Sequence, residues 1–211
     1  MAFEFLPLTY DFAQLEPAMT EKTARWHHDI IHGSYLEAVN RLLKPYPDFS
    51  GLTIERVLSE PERIPAVVSD DVRFHGGGHA NHQFMWKILG AKRGTRPAPT
   101  LGERLEATFG GFDAFTRAFK SEALALNGDG WIFLSLASPG ATDLEIIVTR
   151  GNGNVLELRK PGVLICDLWL HAYQDEHRGD REAWIDSYLK IVDWSHCSLR
   201  YDRLVAGKSV P

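Results

Sequence analysis

Three separated segments of the sequence carry histidine and aspartate side chains that together have the composition of a metal site. His27 and His28 are adjacent in WHHDIIH, His82 ends GGGHANH, and Asp167 and His171 lie four residues apart in CDLWLH. Three neutral imidazoles and one carboxylate form a mixed nitrogen and oxygen ligand set that suits manganese, iron or zinc. No thiolate belongs to this set, which argues against a structural zinc site.

Residue types alone leave a second interpretation open. Buried histidines are ordinarily satisfied by hydrogen bonds, and each of these residues, taken singly, is more simply explained in that way. A metal site requires that the elements carrying the residues converge.

Two long helices and a late strand are predicted to carry the candidate ligands. From Thr20 to Leu43 apolar residues recur at helical spacing, with Thr20 as the N-cap and KPYP blocking continuation beyond Leu43. DDVRFHGGGHANHQFMWKILG predicts a second helix that ends near Gly90, and VLICDLW predicts a strand that ends just before His171. The two helices and the end of this strand could therefore meet at one point.

The segments after the second helix predict a mixed α/β region. AKRGTRPAPT, residues 91–100, has the glycine, proline and charge of a linker, and Thr100 with Glu103 forms a capping-box pattern. WIFLSLA and DLEIIVTR, joined by SPGAT, predict a β-hairpin, NVLELR predicts a further strand, and FDAFTRAFKSEALALNG and REAWIDSYLKIVDW predict helices. The predicted class is α+β, with an N-terminal helical domain (1–90), a linker (91–100) and a C-terminal α/β domain (101–211).

Composition and charge exclude several functional classes. The chain has 211 residues, 44% of them hydrophobic and 24% charged, as in an ordinary soluble globular protein. Its net charge of -5 and the lack of a Lys/Arg cluster argue against nucleic-acid binding, and no apolar run reaches the roughly 20 residues of a membrane helix. Because the N-terminus lacks a signal-like pattern and the two cysteines are interpreted as reduced thiols, we expect a cytoplasmic protein with no nucleic-acid or membrane partner.

Four motifs in a fixed order resemble those of the iron/manganese superoxide dismutase family. They are HHDIIHGSY, GGGHANHQFMW, GDGWIFL and CDLWLHAY, and the similarity extends from LEPAMTEKTARWHHD to VDWSHCSLRY. The resemblance implies an α-helical hairpin followed by an α/β domain with a three-stranded antiparallel sheet. It also implies one Mn or Fe ion per subunit, bound by His27, His82, Asp167 and His171, and dismutation of superoxide to O2 and hydrogen peroxide.

The resemblance assigns further residues to the surroundings of the metal. Tyr35 matches the family's active-site tyrosine, whose phenol helps to deliver protons. Trp86, Trp131 and Trp169 match its aromatic shell. His28, His32 and His79 are interpreted as structural hydrogen-bonding residues.

Two departures from the family pattern lie directly beside these motifs. Leu170 stands where the family has a glutamate that reaches across the dimer interface to a ligand histidine of the other subunit. Ile31 stands where the family has its gateway histidine, and the partner tyrosine of that histidine is retained as Tyr173. We therefore expect a homodimer whose interface is weakened or rearranged.

A third departure concerns the glutamine that the family places near the metal. One source of this glutamine lies four residues before the second histidine ligand, where this chain has Gly78. The other lies in a loop where the alignment places Gly153, with Asn152 and Asn154 beside it; a shift of one residue would put either asparagine in that position. Mn and Fe are not distinguished, because the groups that distinguish them are those replaced.

Loss of these polar groups predicts a more apolar and roomier pocket, which leaves three functions open. The first is superoxide dismutation with altered tuning. The second is a metal-dependent oxidase or oxygenase that acts on a small organic substrate in an enlarged apolar pocket. The third is a non-catalytic structural relative, against which the retained ligands argue because an unused buried carboxylate is costly.

Overall fold

The computed structural model describes residues 3–90 and 96–208 of the chain. Nine α-helices and three strands are found in these ranges. The helices are α1 Glu21–Arg25, α2 Gly33–Leu43, α3 Ile54–Ser59, α4 Ser69–Ile88, α5 Pro99–Phe109, α6 Phe112–Ala125, α7 Gln174–His177, α8 Arg181–Ile191 and α9 Trp194–Val205. The strands are β1 Gly130–Leu136, β2 Leu144–Arg150 and β3 Gly162–Asp167.

The first predicted helix is continuous but changes its pitch where it carries the histidines. The hydroxyl of Thr20 accepts a hydrogen bond from the backbone N–H of Thr23, so the predicted N-cap is confirmed. Between α1 and α2 the segment Trp26–His32 is π-helical. Because π-helical hydrogen bonds join residues five apart, His27 and His32 lie on the same side of the segment and both are buried.

The N-terminal helices form a hairpin in which α2 packs against α4. A small apolar core joins α2, α3 and α4 and contains Val39, Ile54, Leu58 and Val72, each at most 2% exposed. A larger core lies between α4, the sheet and the C-terminal helices. The two long arms of the hairpin therefore enter the protein interior with their histidines.

The sheet is antiparallel throughout, with the strand order β2-β1-β3. The predicted hairpin between β1 and β2 is confirmed, and Trp131 on β1 lies directly opposite Asp167 on β3. Residues opposite each other in an antiparallel pair project from the same face. The sheet therefore presents the candidate carboxylate and a large aromatic ring side by side, and the predicted fold class is confirmed.

The strand predicted for NVLELR is wrong. Residues 155–159 form turns; the side-chain oxygen of Asn154 just before them accepts from the backbone N–H of Leu156 at 2.7 Å, and Arg159 has a φ of 54°. An asparagine that bonds the backbone two residues later favours a turn over a strand.

The capping box predicted at Thr100 is also wrong. The N-cap of α5 is Ala98, and Pro99 occupies the first turn, where a proline's missing N–H costs nothing. Residues 91–95 of the predicted linker lie outside the described residues, and its last two belong to α5. The division into residues 1–90, 91–100 and 101–211 stays a prediction.

Within the described ranges, no helix combines the length and apolar character needed to cross a membrane.

Candidate metal centre

Four donor atoms from four elements meet in the protein interior. His27, His82, Asp167 and His171 each offer one atom, and these atoms lie within 4.8 Å of one another. The Nε2 atom of His27 is 3.0 Å from Nε2 of His82, and Oδ2 of Asp167 is 3.2, 3.7 and 3.2 Å from Nε2 of His27, His82 and His171. The convergence predicted for the two helices and the strand end is present.

These spacings fit a single ion. Two donor atoms that each lie about 2.1 Å from the same metal ion are about 3.0 Å from each other when the donor–metal–donor angle is roughly 90°. At an angle of roughly 120° the two donors are about 3.6 Å apart. Asp167 is fully buried, and neither its Oδ2 atom nor Nε2 of His171 has a hydrogen-bond partner among the described residues. A buried carboxylate oxygen without a partner is costly, so the donor set fits a cation at its centre.

Hydrogen bonds to the other side-chain atoms of His82 and Asp167 fix the direction of their donor atoms. Nδ1–H of His82 donates to the carbonyl of Gly78 at 2.7 Å, which leaves the Nε2 lone pair facing the cluster. Oδ1 of Asp167 accepts from the backbone N–H of Trp169 at 2.8 Å, which leaves Oδ2 facing it. The indole of Trp184 on α8 donates to the Asp167 carbonyl at 2.7 Å and holds the strand end in place.

Burial and mutual contacts set the protonation of the cluster. Burial lowers the pKa of His27 and lowers the pKa of His82 strongly, so both imidazoles are neutral near pH 7. Burial alone would raise the pKa of Asp167, but His171 and His27 beside it hold that pKa below its ordinary value. Neutral histidine and ionised aspartate are the forms that bind a metal.

The three tryptophans predicted as an aromatic shell lie against the three histidines of the cluster. The ring centroids of Trp131 and His82 are 4.8 Å apart, those of Trp86 and His27 are 5.2 Å apart, and those of Trp169 and His171 are 5.8 Å apart. Trp131 is fully buried and Trp86 is 2% exposed. These rings exclude water from most of the surroundings of the donors.

Asn152, rather than Gly153, occupies the polar position next to the metal cluster. The side-chain oxygen of Asn152 accepts from Nε1 of Trp131 at 3.3 Å, and its amide also lies near the Tyr35 hydroxyl, whose pKa it lowers. Burial is the larger influence on that phenol, and the pKa of Tyr35 is raised overall. Of the three residues left open for this position, the geometry favours Asn152 over Gly153 and Asn154. The carbonyl of Gly153 instead accepts from Asn81 and Thr149.

The absence of a side chain at Gly78 does not enlarge the pocket. A Cβ at this position would lie 2.7 Å from the ring of Tyr35 and 2.9 Å from Nδ2 of Asn152. The space is therefore filled by the tyrosine and the asparagine. At Gly78 the structure therefore shows no added room, and of the three expected losses of a polar group Asn152 offsets one, that of the glutamine.

The other departures lie at the periphery of the cluster. Leu170 is 46% exposed, and its backbone N–H donates to Oδ1 of Asp129 at 3.1 Å. Ile31 is half-buried. Tyr173 is 4% exposed, and its hydroxyl accepts from Nε of Arg181 at 3.1 Å, so it belongs to the core rather than to an opening.

Arg181 is a positioning residue that the sequence did not single out. Its terminal nitrogens donate to the carbonyls of Leu126, Gly128 and Leu168 at 2.6, 2.7 and 3.1 Å. The side chain therefore ties the turn before β1 to the residue that follows Asp167. An arginine near the start of a helix has no local signal that distinguishes it from a surface cation.

Models of known protein families match almost the whole chain. The alpha-hairpin domain of the iron/manganese superoxide dismutases matches residues 2–90, and the C-terminal domain of the same family matches residues 97–200.

Several curated proteins are similar over most of their length. A manganese superoxide dismutase of Listeria innocua is 32% identical over 96% of this chain and 98% of its own. A Mn/Fe superoxide dismutase of Methylomonas sp. is 32% identical over 97% and 100%. Manganese superoxide dismutase 1 of Leptolyngbya boryana is 30% identical over 92% and 79%.

Proposed function

Because the chain belongs to the iron/manganese superoxide dismutase family, we propose that it catalyses the dismutation of superoxide. The observation that carries this proposal is the set of four buried donor atoms within 4.8 Å, with the amide of Asn152 and the phenol of Tyr35 beside it. The reaction converts two superoxide anions and two protons into O2 and hydrogen peroxide. His27, His82, Asp167 and His171 are the proposed metal ligands.

The proposed cofactor is one Mn or Fe ion per subunit. The relatives named above carry Mn or Mn/Fe in their names, and the mixed imidazole and carboxylate set suits either ion. Such an ion supplies one-electron oxidation and reduction by alternating between two oxidation states. The choice between the two metals is not part of the proposal.

Tyr35 and Asn152 are proposed to handle the proton and to orient small anions. Since burial raises the pKa of Tyr35, its phenol stays protonated at neutral pH and can donate a hydrogen bond or a proton. Nδ2 of Asn152 lies close enough to the Tyr35 hydroxyl to lower its pKa, and it has no other hydrogen-bond partner among the described residues. Both groups therefore keep a polar hydrogen for a reactant, while Trp131 fixes the amide by bonding its oxygen.

Metal-dependent oxidation of a small organic molecule is the second candidate. The apolar Ile31 and Leu170 near the ligands favour it. The filled space beside Gly78 argues against it, because an organic substrate needs room that the Tyr35 ring and Asn152 occupy. The two cavities described in the structure are lined by other residues than the four proposed ligands.

We also propose a homodimer formed through the face around the metal centre, and a cytoplasmic location. Trp26, Ile30 and Leu170 are 41%, 59% and 46% exposed, and the ring centroids of Trp26 and His171 are 6.4 Å apart. Exposed apolar side chains grouped in this way are typical of an interaction surface. Apolar contacts between the two subunits would replace the polar contacts that are lost because Ile31 and Leu170 stand at the family's histidine and glutamate positions.

The deciding experiment measures the superoxide dismutation rate per bound metal. The purified protein is loaded separately with manganese and with iron, and the metal content is determined on the same sample. A rate constant near the diffusion ceiling of about 10⁸–10⁹ M⁻¹s⁻¹ supports dismutation. A rate orders of magnitude lower at full loading contradicts it and favours the organic oxidation. Failure to bind either metal excludes both enzymes.

A further inference from the structure

A cleft of about 950 Å³ lies apart from the candidate metal centre. Its walls are one face of α4, residues 52–62 around α3, residues 154–162 before β3, and α9. Cavities of roughly 300–1,000 Å³ are typical of small-molecule sites. None of the four proposed metal ligands lines the cleft, so the dismutation proposal does not use it.

Two cations of the cleft have no carboxylate partner. Nε of Arg200 donates to the Gly162 carbonyl at 2.6 Å, and its guanidinium carbon lies 4.1 Å from the centre of the Phe84 ring. Its other nitrogens have no acceptor among the described residues, and Lys87 has no hydrogen bond or ion pair within the same part of the chain. Burial lowers the pKa of Arg200 to about 10 and lowers the pKa of Lys87, yet both stay cationic at neutral pH.

One acidic group lies near these cations and is already engaged. Oε1 of Glu55 accepts from Nε2 of Gln83 at 3.1 Å, and the charge of Glu55 acts on both Lys87 and Arg200 without an ion pair to either. Two cations and one anion leave a local charge of one positive unit. A partly buried charge without a partner is unfavourable, so a single negative charge complements this end of the cleft.

Some of the remaining charged residues of the cleft are held by neighbours. Glu60 forms ion pairs with Arg56 and Arg63, and Lys160 pairs with Glu145 outside the cleft. Glu4, Glu62 and Arg159 also line the cleft and form no ion pair among the described residues, but neither Glu4 nor Glu62 is among the charges that act on Lys87 or Arg200. These groups therefore do not supply the counter-charge for Lys87 and Arg200.

Apolar side chains form another part of the lining of the cleft. Phe84 lies under the guanidinium of Arg200, and Leu52, Val155, Leu156 and Leu204 line the same cleft. A Cβ at Gly162 would approach the Phe84 ring to 2.8 Å, so a side chain at this position would displace the ring that lies against Arg200. The cleft thus joins a cationic end to an apolar wall.

We propose that this cleft binds the carboxylate of an apolar organic acid, with the head group between Lys87 and Arg200 and the apolar body against Phe84, Val155 and Leu156. Charge-assisted hydrogen bonds from the two cations fix the head group. Burial of the hydrocarbon against the leucine and valine side chains supplies the remaining affinity. The site is independent of the reaction at the metal centre.

The test is equilibrium dialysis of radiolabelled decanoate against the full-length, metal-loaded protein at neutral pH and submillimolar ligand. We expect saturable binding of one decanoate per chain, and no competition by uncharged decanamide. Lys87→Glu is expected to abolish binding, Lys87→Gln to weaken it by about tenfold, and Lys87→Arg to retain it. Lys190→Glu, at an exposed position on α8, is the matched control and is expected to bind as the parent does.

Absence of saturable binding to the parent protein overturns the proposal. Equal competition by decanamide, or undiminished binding in Lys87→Glu, overturns it as well, because either result removes the role of the charge. The melting temperature of each variant verifies that it is folded, and if Lys87→Glu does not fold, the comparison of Lys87→Gln with Lys87→Arg decides. Dismutation rates do not enter the readout, so failure here leaves the proposed function untouched.

Discussion

The indole Nε1–H of Trp131 donates to the side-chain oxygen of Asn152 at 3.3 Å, and this bond directs the amide of a loop residue toward the metal cluster. Trp131 is itself in ring contact with His82, and Nδ2 of Asn152 faces the space above Gly78. A strand residue therefore orients a polar group that belongs to the turn after β2. The amide is held by the same ring that packs on a proposed ligand.

Asn152→Ala is expected to lower the dismutation rate per bound metal by about tenfold, because one amide hydrogen bond donor near a reacting anion contributes roughly that factor or more. Metal content is expected to stay unchanged, since Asn152 offers no donor to the cluster. Pulse radiolysis or stopped-flow decay of superoxide, with metal analysis of the same sample, measures both. Asn127→Ala, at an exposed position before β1, is the control. Equal rates for the two variants would remove the role proposed for Asn152.

Gly78→Ala is expected to destabilise the protein by about 1–3 kcal/mol, because overpacking forces neighbours to move. Its Cβ would meet the Tyr35 ring at 2.7 Å and Asn152 at 2.9 Å. Gly102→Ala on α5 meets nothing closer than 3.9 Å, and we expect it to stabilise by up to about 1 kcal/mol as an ordinary glycine-to-alanine change in a helix. Urea denaturation of both variants measures the difference. Similar effects of the two substitutions would mean that the space beside Gly78 is empty.

Loading with manganese or iron is expected to raise the melting temperature by about 5–10 °C when free metal is a hundredfold above the dissociation constant. The donor set exists only in the folded chain, so binding stabilises that state. In His82→Ala this increase is expected to vanish, whereas His196→Ala on α9, outside the cluster, keeps it. Differential scanning calorimetry with and without metal provides the measurement. An equal increase in His82→Ala would exclude His82 as a ligand.

His79 is expected to make the fold sensitive to mild acid. Burial lowers the pKa of His79 from 6.5 to about 4, and its Nδ1 is 2.8 Å from Nε2 of His32. As the pH falls below 6.5, His79 takes up a proton in the unfolded chain before it does so in the folded protein. Its contribution to the free energy of unfolding is therefore fully present above pH 6.5 and is lost progressively toward pH 4. Between pH 7 and pH 5 we expect a loss of about 2 kcal/mol from this residue.

The comparison that isolates this loss is between the parent protein and His79→Gln. The drop in the free energy of unfolding from pH 7 to pH 5 should be about 2 kcal/mol smaller in the variant. The effect of acid on metal binding is common to both proteins and cancels. An equal drop in the two would show that His79 does not titrate on unfolding.

Leu170→Lys is expected to shift the proposed dimer toward the monomer, because a lysine would carry its charge into an apolar contact. Leu199→Lys is the control, because Leu199 on α9 is a comparably exposed leucine. Leu199 is 55% exposed and Leu170 is 46% exposed. Size-exclusion chromatography with light scattering over a range of concentrations reports the association. Dissociation by both substitutions, or by neither, would place the contact elsewhere.

The four proposed ligands, the helical hairpin and the three-stranded sheet could be predicted from the sequence. His27 and His82 belong to long helices, and Asp167 ends an apolar strand, and local sequence patterns predict these elements. The order of four motifs then gave the resemblance that implies the ligand set. The apolar pattern indicated a buried strand for Asp167, whereas in the first helix Trp26 and Ile30 are 41% and 59% exposed and His27 and His32 are buried. The sequence therefore determined which elements carry the proposed ligands, but its apolar period did not indicate which face of the first helix enters the core.

Only the tertiary structure decided which residue completes the surroundings of the metal and how much room they leave. Asn152 and Gly153 are adjacent in a turn, and their side-chain directions depend on the bond from Trp131 and the contact with Tyr35, which are remote in sequence. The role of Arg181 also depends on contacts between residues remote in sequence, because its three carbonyl partners come from two other segments. The cleft between Lys87 and Arg200 likewise forms only when distant segments pack together. Turns lack the regular repeat of buried residues that orients side chains in helices and strands. Long-range hydrogen bonds and packing must therefore set the direction of their side chains.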